Sequence, residues 1–289
     1  MTSPSIFVNY ARVVKHFVLT RALEVLALQA SPIIGSFLGG FCLGQHDYIR
    51  WTLLLVGSLF LTAHVFVFND WAGHSSDMRN PRRATRIFFG RAPVARVATA
   101  LLLISMVAFA AIGWPAILLG ASIAALSFLY SCSQVFGKSR PVAASFNHLI
   151  GGMLHFLLGY TAFHGLDLNG VLCSLFFGLV FSAGHLNQEV RDYEVDLLNG
   201  IRTSAVVFGC RRTFIASLII FTAAYALLIT LAAFSVLPKV LLWSALLWLL
   251  QVAWSAQALR RGLGFETAEW MQRRYRLLFA LIGFAMLIK

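Results

Sequence analysis

WTLLLVGSLFLTAHVFVFNDWAGHSSDMRN, residues Trp51 to Asn80, joins a long apolar run to a short segment rich in polar residues. As a helix, the apolar part is long enough to cross a hydrocarbon core about 30 Å thick. Acidic side chains at the end of such a segment are costly unless a partner or a ligand binds them. The stretch therefore predicts a membrane helix whose polar end binds a partner or a ligand through Asn69, Asp70 and Asp77.

The composition of the whole chain indicates the same class of protein. Hydrophobic residues make up 59% of the chain and charged residues only 12%, whereas soluble domains carry roughly 25% charged residues. Apolar segments of about 20 residues recur along the whole sequence. We predict an all-α, polytopic membrane protein with about nine spans, at 22–44, 51–69, 95–113, 115–133, 143–163, 170–188, 213–235, 238–257 and 275–289.

The distribution of charge supports this arrangement of spans. With the N-terminus in the cytoplasm, all but three of the 23 basic residues fall on the cytoplasmic side, the exceptions being Arg50, Lys239 and Lys289. Such an excess is the positive-inside bias of membrane proteins. The net charge of +12 is spread over several short loops, which argues against a nucleic-acid partner. We predict an integral protein of a bacterial inner membrane, in contact with membrane lipid and with a cytoplasmic N-terminus.

A second polar segment, FSAGHLNQEVRDYEVDLLNGIRTSAVVFG, runs off the end of the sixth predicted span. Four of its side chains follow one another at spacings of four, three and four residues: His185, Glu189, Asp192 and Asp196. On a helix this spacing places all four on one face. The segment therefore predicts an acidic row along the cytoplasmic end of a membrane helix.

The first polar segment has a related spacing. Asn69, Gly73 and Asp77 are four residues apart, and Asp70 lies one residue off that row. Both clusters lie at the cytoplasmic ends of their spans. These are the second and the sixth predicted spans, so the clusters are four spans apart. This favours one domain over residues 1–289, built from two related four-helix units, about 22–133 and 143–257, and a ninth helix.

The two acidic clusters indicate a bound cation. Carboxylates on facing helices repel one another unless a cation lies between them, and carboxylate and phosphate oxygens are the usual ligands of Mg²⁺. The alternative is that these acids only cap helices and pair with nearby arginines. Basic residues able to contact phosphate oxygens flank both clusters: Arg79, Arg82, Lys138, Arg140, Arg191 and Arg202. We therefore favour a metal-bridged polyphosphate site facing the cytoplasm.

Three motifs resemble those of one family. NDWAGHSSD, from Asn69, resembles the NDxxDxxxD signature of the UbiA superfamily of intramembrane prenyltransferases. EVRDYEVDLLNGIRTSAVVFG, from Glu189, resembles that family's second aspartate motif with its following G-x-R-T. YSCSQVFGKSRP, from Tyr130, is similar to the family's Tyr-Ser stretch with a downstream basic residue. Together the motifs and the spans cover nearly the whole chain.

The resemblance implies a bundle of nine helices around a central cavity, with both acidic motifs at its cytoplasmic mouth. It also implies Mg²⁺-dependent transfer of a prenyl group from an isoprenyl diphosphate to a lipophilic or aromatic acceptor, with release of diphosphate. The implied Mg²⁺–diphosphate residues are Asn69, Asp77, Asp192 and Asp196, supported by Asp70 and by Glu189, a further metal-site position. Lys138, Arg191 and Arg202 would then hold the diphosphate, and Tyr130 would lie close to the reacting carbon.

One departure from the family pattern keeps alternatives open. Gly73 stands where the first motif has its middle aspartate, so the cluster lacks one hard oxygen ligand. A changed diphosphate site can accompany a changed reaction, such as that of a membrane terpene cyclase or of a transferase with a phosphorylated sugar donor. A more distant alternative is a transporter, but a transporter is expected to place its ion-binding acids near the middle of the bilayer.

Overall fold

The computed structural model describes residues 6–42, 47–77, 90–133 and 135–288. Within these ranges the chain forms helices and no strand, which confirms the predicted all-α class. The first helices are α1 (Ile6–Leu28), α2 (Ala30–Leu38), α3 (Tyr48–Asp77), α4 (Arg91–Ile112), α5 (Trp114–Cys132) and α6 (Pro141–Tyr160). They are followed by α7 (Leu168–Leu198), α8 (Ser204–Phe208), α9 (Cys210–Ala233), a 3₁₀ helix (Lys239–Trp243), α10 (Ser244–Arg261) and α11 (Phe265–Met286).

Seven helical segments of the described chain are long and apolar enough to cross a membrane. They are α3 to α7, α9, and the 3₁₀ helix together with α10. The predicted count of nine is therefore only approximate. The first predicted span, 22–44, corresponds to the end of α1 and the nine-residue α2. The ninth, 275–289, lies mostly within α11, whose basic residues Arg273, Arg274 and Arg276 make it the least apolar of these helices.

Helices that follow one another in the chain also pack side by side. From α3 to α7 each helix contacts the next, α7 packs on α9, and α9 contacts α10, which contacts α11. The bundle closes because α11 returns to α7 and α2 packs against α6. Large buried side chains such as Phe156, Tyr225, Leu228 and Ile282 fill the core between α6, α9 and α11. This arrangement brings α7, which carries the acidic row, to the centre of the second half.

Glycines allow α2 and α6 to approach each other closely. A Cβ atom on Gly159 of α6 would collide with the backbone carbonyl of Pro32 in α2. One on Gly35 of α2 would collide with the carbonyl of Phe156 in α6. Small residues at such crossings let membrane helices pack backbone to backbone. The contact fixes α6, which also contributes side chains to the polar end of the bundle.

Candidate active site

The three segments that carry the motifs meet at one end of the bundle. Asn69 in α3 donates a hydrogen bond from Nδ2 to the Oγ atom of Ser131 at the end of α5, at 3.4 Å. In the loop between α5 and α6, the Nζ atom of Lys138 lies 3.4 Å from Oδ1 of Asp196 in α7. The contacts therefore join α3, α5 and α7 into one polar region, which we call the acidic end.

The acidic row lies on one continuous helix, as its spacing predicts. Glu189 is buried, and its Oε2 atom accepts a hydrogen bond from the backbone N–H of Ser204, the first residue of α8, at 2.9 Å. Its Oε1 atom lies 3.0 Å from Nε2 of His185, although the two groups are not aligned for a hydrogen bond. Both oxygens of Glu189 thus face protein partners.

Asp192 is held by its neighbour in the sequence. The Nε and Nη2 atoms of Arg191 donate to Oδ1 and Oδ2 of Asp192 at 2.9 and 3.0 Å. The remaining arm of Arg191 donates to Oε1 of Gln272 in α11 at 2.7 Å. Arg191 also interacts electrostatically with Glu24 in α1. Because bidentate pairs fix the geometry of a carboxylate, Asp192 is oriented by contacts that reach the last helix.

Asp196 ends the row where α7 ends. Its side chain is only 3% exposed, and its backbone carbonyl accepts a hydrogen bond from the N–H of Ile201 at 2.8 Å. Between them Gly200 has a φ of 67°, a left-handed conformation that suits glycine after a helix end. This turn sends the chain back towards α8 and leaves the Asp196 carboxylate facing Lys138.

Asp70 of the first motif is engaged by a residue outside both motifs. Its Oδ1 atom lies 2.7 Å from Nη2 of Arg21 in α1, and Arg21 also bonds Glu24 at 3.2 Å. The Arg21 guanidinium packs over the ring of Phe66, 5.4 Å from its centroid. Asp70 therefore fastens α1 to α3 and already has a partner for its charge.

Arg21 and Glu24 were not predicted as site residues from the sequence. We counted Arg21 only among the basic residues that set the topology. A signal was nevertheless present, because Glu24 falls inside the first predicted span, 22–44, where an unpaired acid is costly. An acid three residues after a basic residue at the start of an apolar segment therefore indicates an ion pair.

A cluster of three rings lies at the start of the acidic row. The imidazoles of His148 in α6 and His185 in α7 stack with centroids 3.7 Å apart and an interplanar angle of 8°. Tyr130 in α5 meets both edge-on, with its centroid 4.9 Å from His148 and 5.9 Å from His185. The structure thus places Tyr130 in edge contact with His185, the residue that begins the acidic row.

Other predicted site residues lie at the margin or beyond the described chain. Arg140 is exposed just before α6, and Arg202 is exposed in the turn between α7 and α8. Asp77 is the last residue of α3, and its side chain lies outside the described part of the structure, as do Arg79 and Arg82.

The donor set fits a metal ion bound together with a substrate rather than a metal bound alone. Among the described residues, no three His, Cys, Asp or Glu side chains gather into a ready metal cluster. Asp192 and Asp196 instead lie one turn apart on α7, each beside a basic side chain. Mg²⁺ is usually held by one or two carboxylates, with substrate phosphates and water completing its shell, and these two acids suit that arrangement.

The solved structures of similar fold described here are far from this chain in sequence. A UbiA homolog from Archaeoglobus fulgidus bound to GPP and Mg²⁺ has a TM-score of 0.71 at 16% identity, over 96% of this chain and 99% of that chain. An apo UbiA homolog from Aeropyrum pernix K1 has a TM-score of 0.74 at 18% identity, over 92% and 98%. A structure of digeranylgeranylglyceryl phosphate synthase in membranes has a TM-score of 0.69 at 17% identity, over 96% and 98%. No curated protein matches the sequence.

The family assignment comes from a match to the sequence itself. The sequence model of the UbiA prenyltransferase family covers residues 33–282. That range runs from α2 into α11 and includes both acidic motifs and the Tyr130 segment. Together with the helical bundle, it confirms the resemblance found in the motifs, and the chain belongs to the UbiA prenyltransferase family.

Proposed function

We propose that this protein transfers a prenyl group from an isoprenyl diphosphate to a lipophilic or aromatic acceptor and releases diphosphate in a Mg²⁺-dependent reaction. The observation that carries the proposal is the pair Asp192 and Asp196, one turn apart and each beside a cation, in a membrane bundle of this family. Relatives from Archaeoglobus fulgidus bind GPP or DMAPP with Mg²⁺, which supports a donor of this class.

The residues assigned to the metal come from the contacts on α7 and from the first motif on α3. Asp192 and Asp196 would hold Mg²⁺ from α7, and Asn69 and Asp77 would face it from α3. When bound with the donor, Mg²⁺ neutralises charge that develops on the diphosphate as it leaves. Glu189 lies against His185 and Ser204 with its two oxygens, so we assign it to orienting the row rather than to direct ligation.

The basic residues serve the leaving group. Breaking the allylic C–O bond leaves extra negative charge on the diphosphate, so cations aimed at it stabilise the transition state more than the ground state. Lys138 and Arg191 are already at the acidic row. Four arginines complete the proposed diphosphate-binding set. They are Arg202 and Arg140, which are exposed at the edge of the row, and Arg79 and Arg82.

The position of the site in the membrane follows the distribution of charge. Most basic residues, including those of the acidic end, lie on one side of the predicted spans. By the positive-inside rule that side faces the cytoplasm, and we propose a bacterial inner membrane as the location. The donor diphosphate would then enter from the cytoplasmic side, while its hydrocarbon chain lies among the apolar helices.

Diphosphate release tests the proposal directly. Purified protein in nanodiscs would receive Mg²⁺ and prenyl diphosphates of several lengths, with and without a panel of aromatic acceptors, beside the Asp192→Asn variant. We expect release that depends on the acceptor and is abolished by EDTA and by the substitution. Release without any acceptor would point to a cyclase or hydrolase, and no release from folded protein under any condition would contradict the proposal.

A further inference from the structure

We propose that His148 is a catalytic residue on the acceptor side, whose Nε2 atom binds a hydroxyl group of the acceptor and takes its proton. This inference rests on the proposed prenyl transfer and specifies the acceptor as a hydroxyl-bearing compound, such as a phenol. It is carried by the tautomer, accessibility and position of one imidazole ring. The first two of these features do not depend on the acidic motifs.

The tautomer of His148 is fixed by a backbone contact. Its Nδ1 atom lies 2.9 Å from the carbonyl oxygen of Ala144, one turn earlier in α6. A carbonyl oxygen only accepts hydrogen bonds, so Nδ1 carries the proton and donates it. In the neutral ring Nε2 is then a bare acceptor.

That acceptor atom is open to a ligand. Within the described part of the chain Nε2 of His148 has no hydrogen-bond partner, and it is not one of the fully buried polar atoms that lack one. The residue as a whole is partly buried, and its ring lies between Tyr130 of α5 and His185 of α7. A ring that is oriented by a backbone bond at Nδ1, with a basic Nε2 that is not fully enclosed, is suited to contact a substrate.

The ring also lies at the right depth for the reaction. It stacks on His185, which precedes Glu189 by one helical turn, a rise of about 5–6 Å. An acceptor hydroxyl at His148 would thus lie on the apolar side of a diphosphate held by Asp192 and Asp196, about 10 Å along α7 from the level of Asp192. The titratable groups facing the ring are Tyr130, His185 and, beyond His185, Glu189.

The proposed step balances as follows. The acceptor O–H bond breaks, its proton goes to Nε2, and its electron pair stays on the acceptor. The acceptor oxygen, or a ring carbon conjugated with it, bonds to the prenyl carbon. Diphosphate leaves with the electron pair of the broken C–O bond, and the proton passes from Nε2 to water as the products leave. General bases of this kind contribute about 10²–10⁴-fold to a rate.

Other buried histidines provide a contrast and a control. The Nε2 atom of His155 lies 3.1 Å from Oγ of Ser58, so it already has a partner. His64 has its Nδ1 atom 2.8 Å from the carbonyl of Ala98 and stacks on Phe68. It therefore reproduces the local setting of His148 but lies between α3 and α4, away from the acidic row.

The test compares two probes that differ in one hydrogen-bond donor, 2-naphthol and its methyl ether. Equilibrium dialysis would measure their binding to protein in nanodiscs with Mg²⁺ and the unreactive geranyl S-thiolodiphosphate. We expect wild type to bind 2-naphthol about tenfold more tightly than the ether, as the loss of one hydrogen bond implies. The His148→Phe variant keeps an aromatic ring but should lose that preference, and His64→Phe should retain it.

Single-turnover transfer from geranyl diphosphate to 2-naphthol separates binding from proton acceptance. His148→Gln offers an amide oxygen that accepts a hydrogen bond but does not take the proton. We expect it to bind 2-naphthol like wild type and yet to transfer about 10²-fold more slowly. A purely structural role for His148 would affect both probes and both measurements together.

The outcomes distinguish this inference from the proposed function. Equal binding of the two probes by wild type, binding of neither, or undiminished transfer by His148→Phe would overturn the inference while leaving prenyl transfer to be tested by diphosphate release. Hydroxyl-selective binding without transfer by wild type, under conditions where it also releases no diphosphate, would overturn the proposed function and the proton step alike.

Discussion

The two acidic motifs end helices of nearly equal length, 30 residues in α3 and 31 in α7, but their side chains are engaged very differently. On α7, His185, Glu189, Asp192 and Asp196 all point to partners within the acidic end. On α3, Gly73 replaces an acid, and Asp70 pairs with Arg21 of α1. Charge is thus concentrated on α7, whereas α3 carries the Arg21–Asp70 ion pair, which we call the clamp.

The largest expected effect is the difference in rate between a substitution in the acidic row and one in the clamp. Replacing Asp196 with asparagine removes a carboxylate assigned to the metal and should lower the rate of diphosphate release by about 10³-fold. Replacing Asp70 with asparagine should lower it by no more than about tenfold, since Asp70 acts through Arg21. Steady-state release assays on both variants at saturating Mg²⁺ measure the difference. Equal losses would show that the two motifs contribute alike.

A second substitution tests the clamp through stability. Arg21 and Asp70 have side chains only 17% and 15% exposed, so replacing Arg21 with methionine leaves a largely buried carboxylate with one partner fewer. We expect the free energy of unfolding to fall by about 3 kcal/mol, measured by denaturation in detergent.

The matched control is an exposed pair. Arg273 and Glu269 have side chains 75% and 40% exposed, and solvent screening makes such pairs weak. Replacing Arg273 with methionine should change the free energy of unfolding by no more than about 0.5 kcal/mol. If the Arg21 and Arg273 variants were equally stable, α1 would not be fastened to α3 by this contact.

The smallest expected effect comes from restoring the acid that the first motif lacks. Replacing Gly73 with aspartate adds a carboxylate to the row of Asn69 and Asp77. Because the number of charged oxygen ligands sets the affinity of a site for hard cations, we expect the Mg²⁺ concentration for half-maximal activity to fall by about tenfold. The control, Ala72→Asp, places the same charge one residue off that row. An unchanged Mg²⁺ requirement for Gly73→Asp would mean that α3 lies too far from the metal.

Local patterns in the sequence predicted part of this site. The four, three, four spacing from His185 to Asp196 placed an acidic row on one helix, because helical geometry fixes which residues share a face. The apolar composition likewise predicted an all-helical membrane bundle, and the motifs predicted the family. These inferences need only the residues of one segment and the regular geometry of a helix.

Contacts between distant segments could not be predicted in the same way. Arg21 and Asp70 are 49 residues apart, and Arg191 and Gln272 are 81 apart. The stack of His148 on His185 depends on how α6 and α7 rotate against each other. Such rotations are set by packing over the whole interface. A single sequence therefore showed which residues carry charge, but not which of them meet.

The length of α7 has one further consequence. A helix of 31 residues spans about 46 Å, which exceeds a hydrocarbon core of about 30 Å. The surplus of about 16 Å is close to three turns, and three turns hold the segment from Glu189 to the end of α7. The length of the helix therefore sets the depth of the site. One substrate molecule can keep its phosphates among lipid headgroups and water while its hydrocarbon tail stays within the hydrocarbon core.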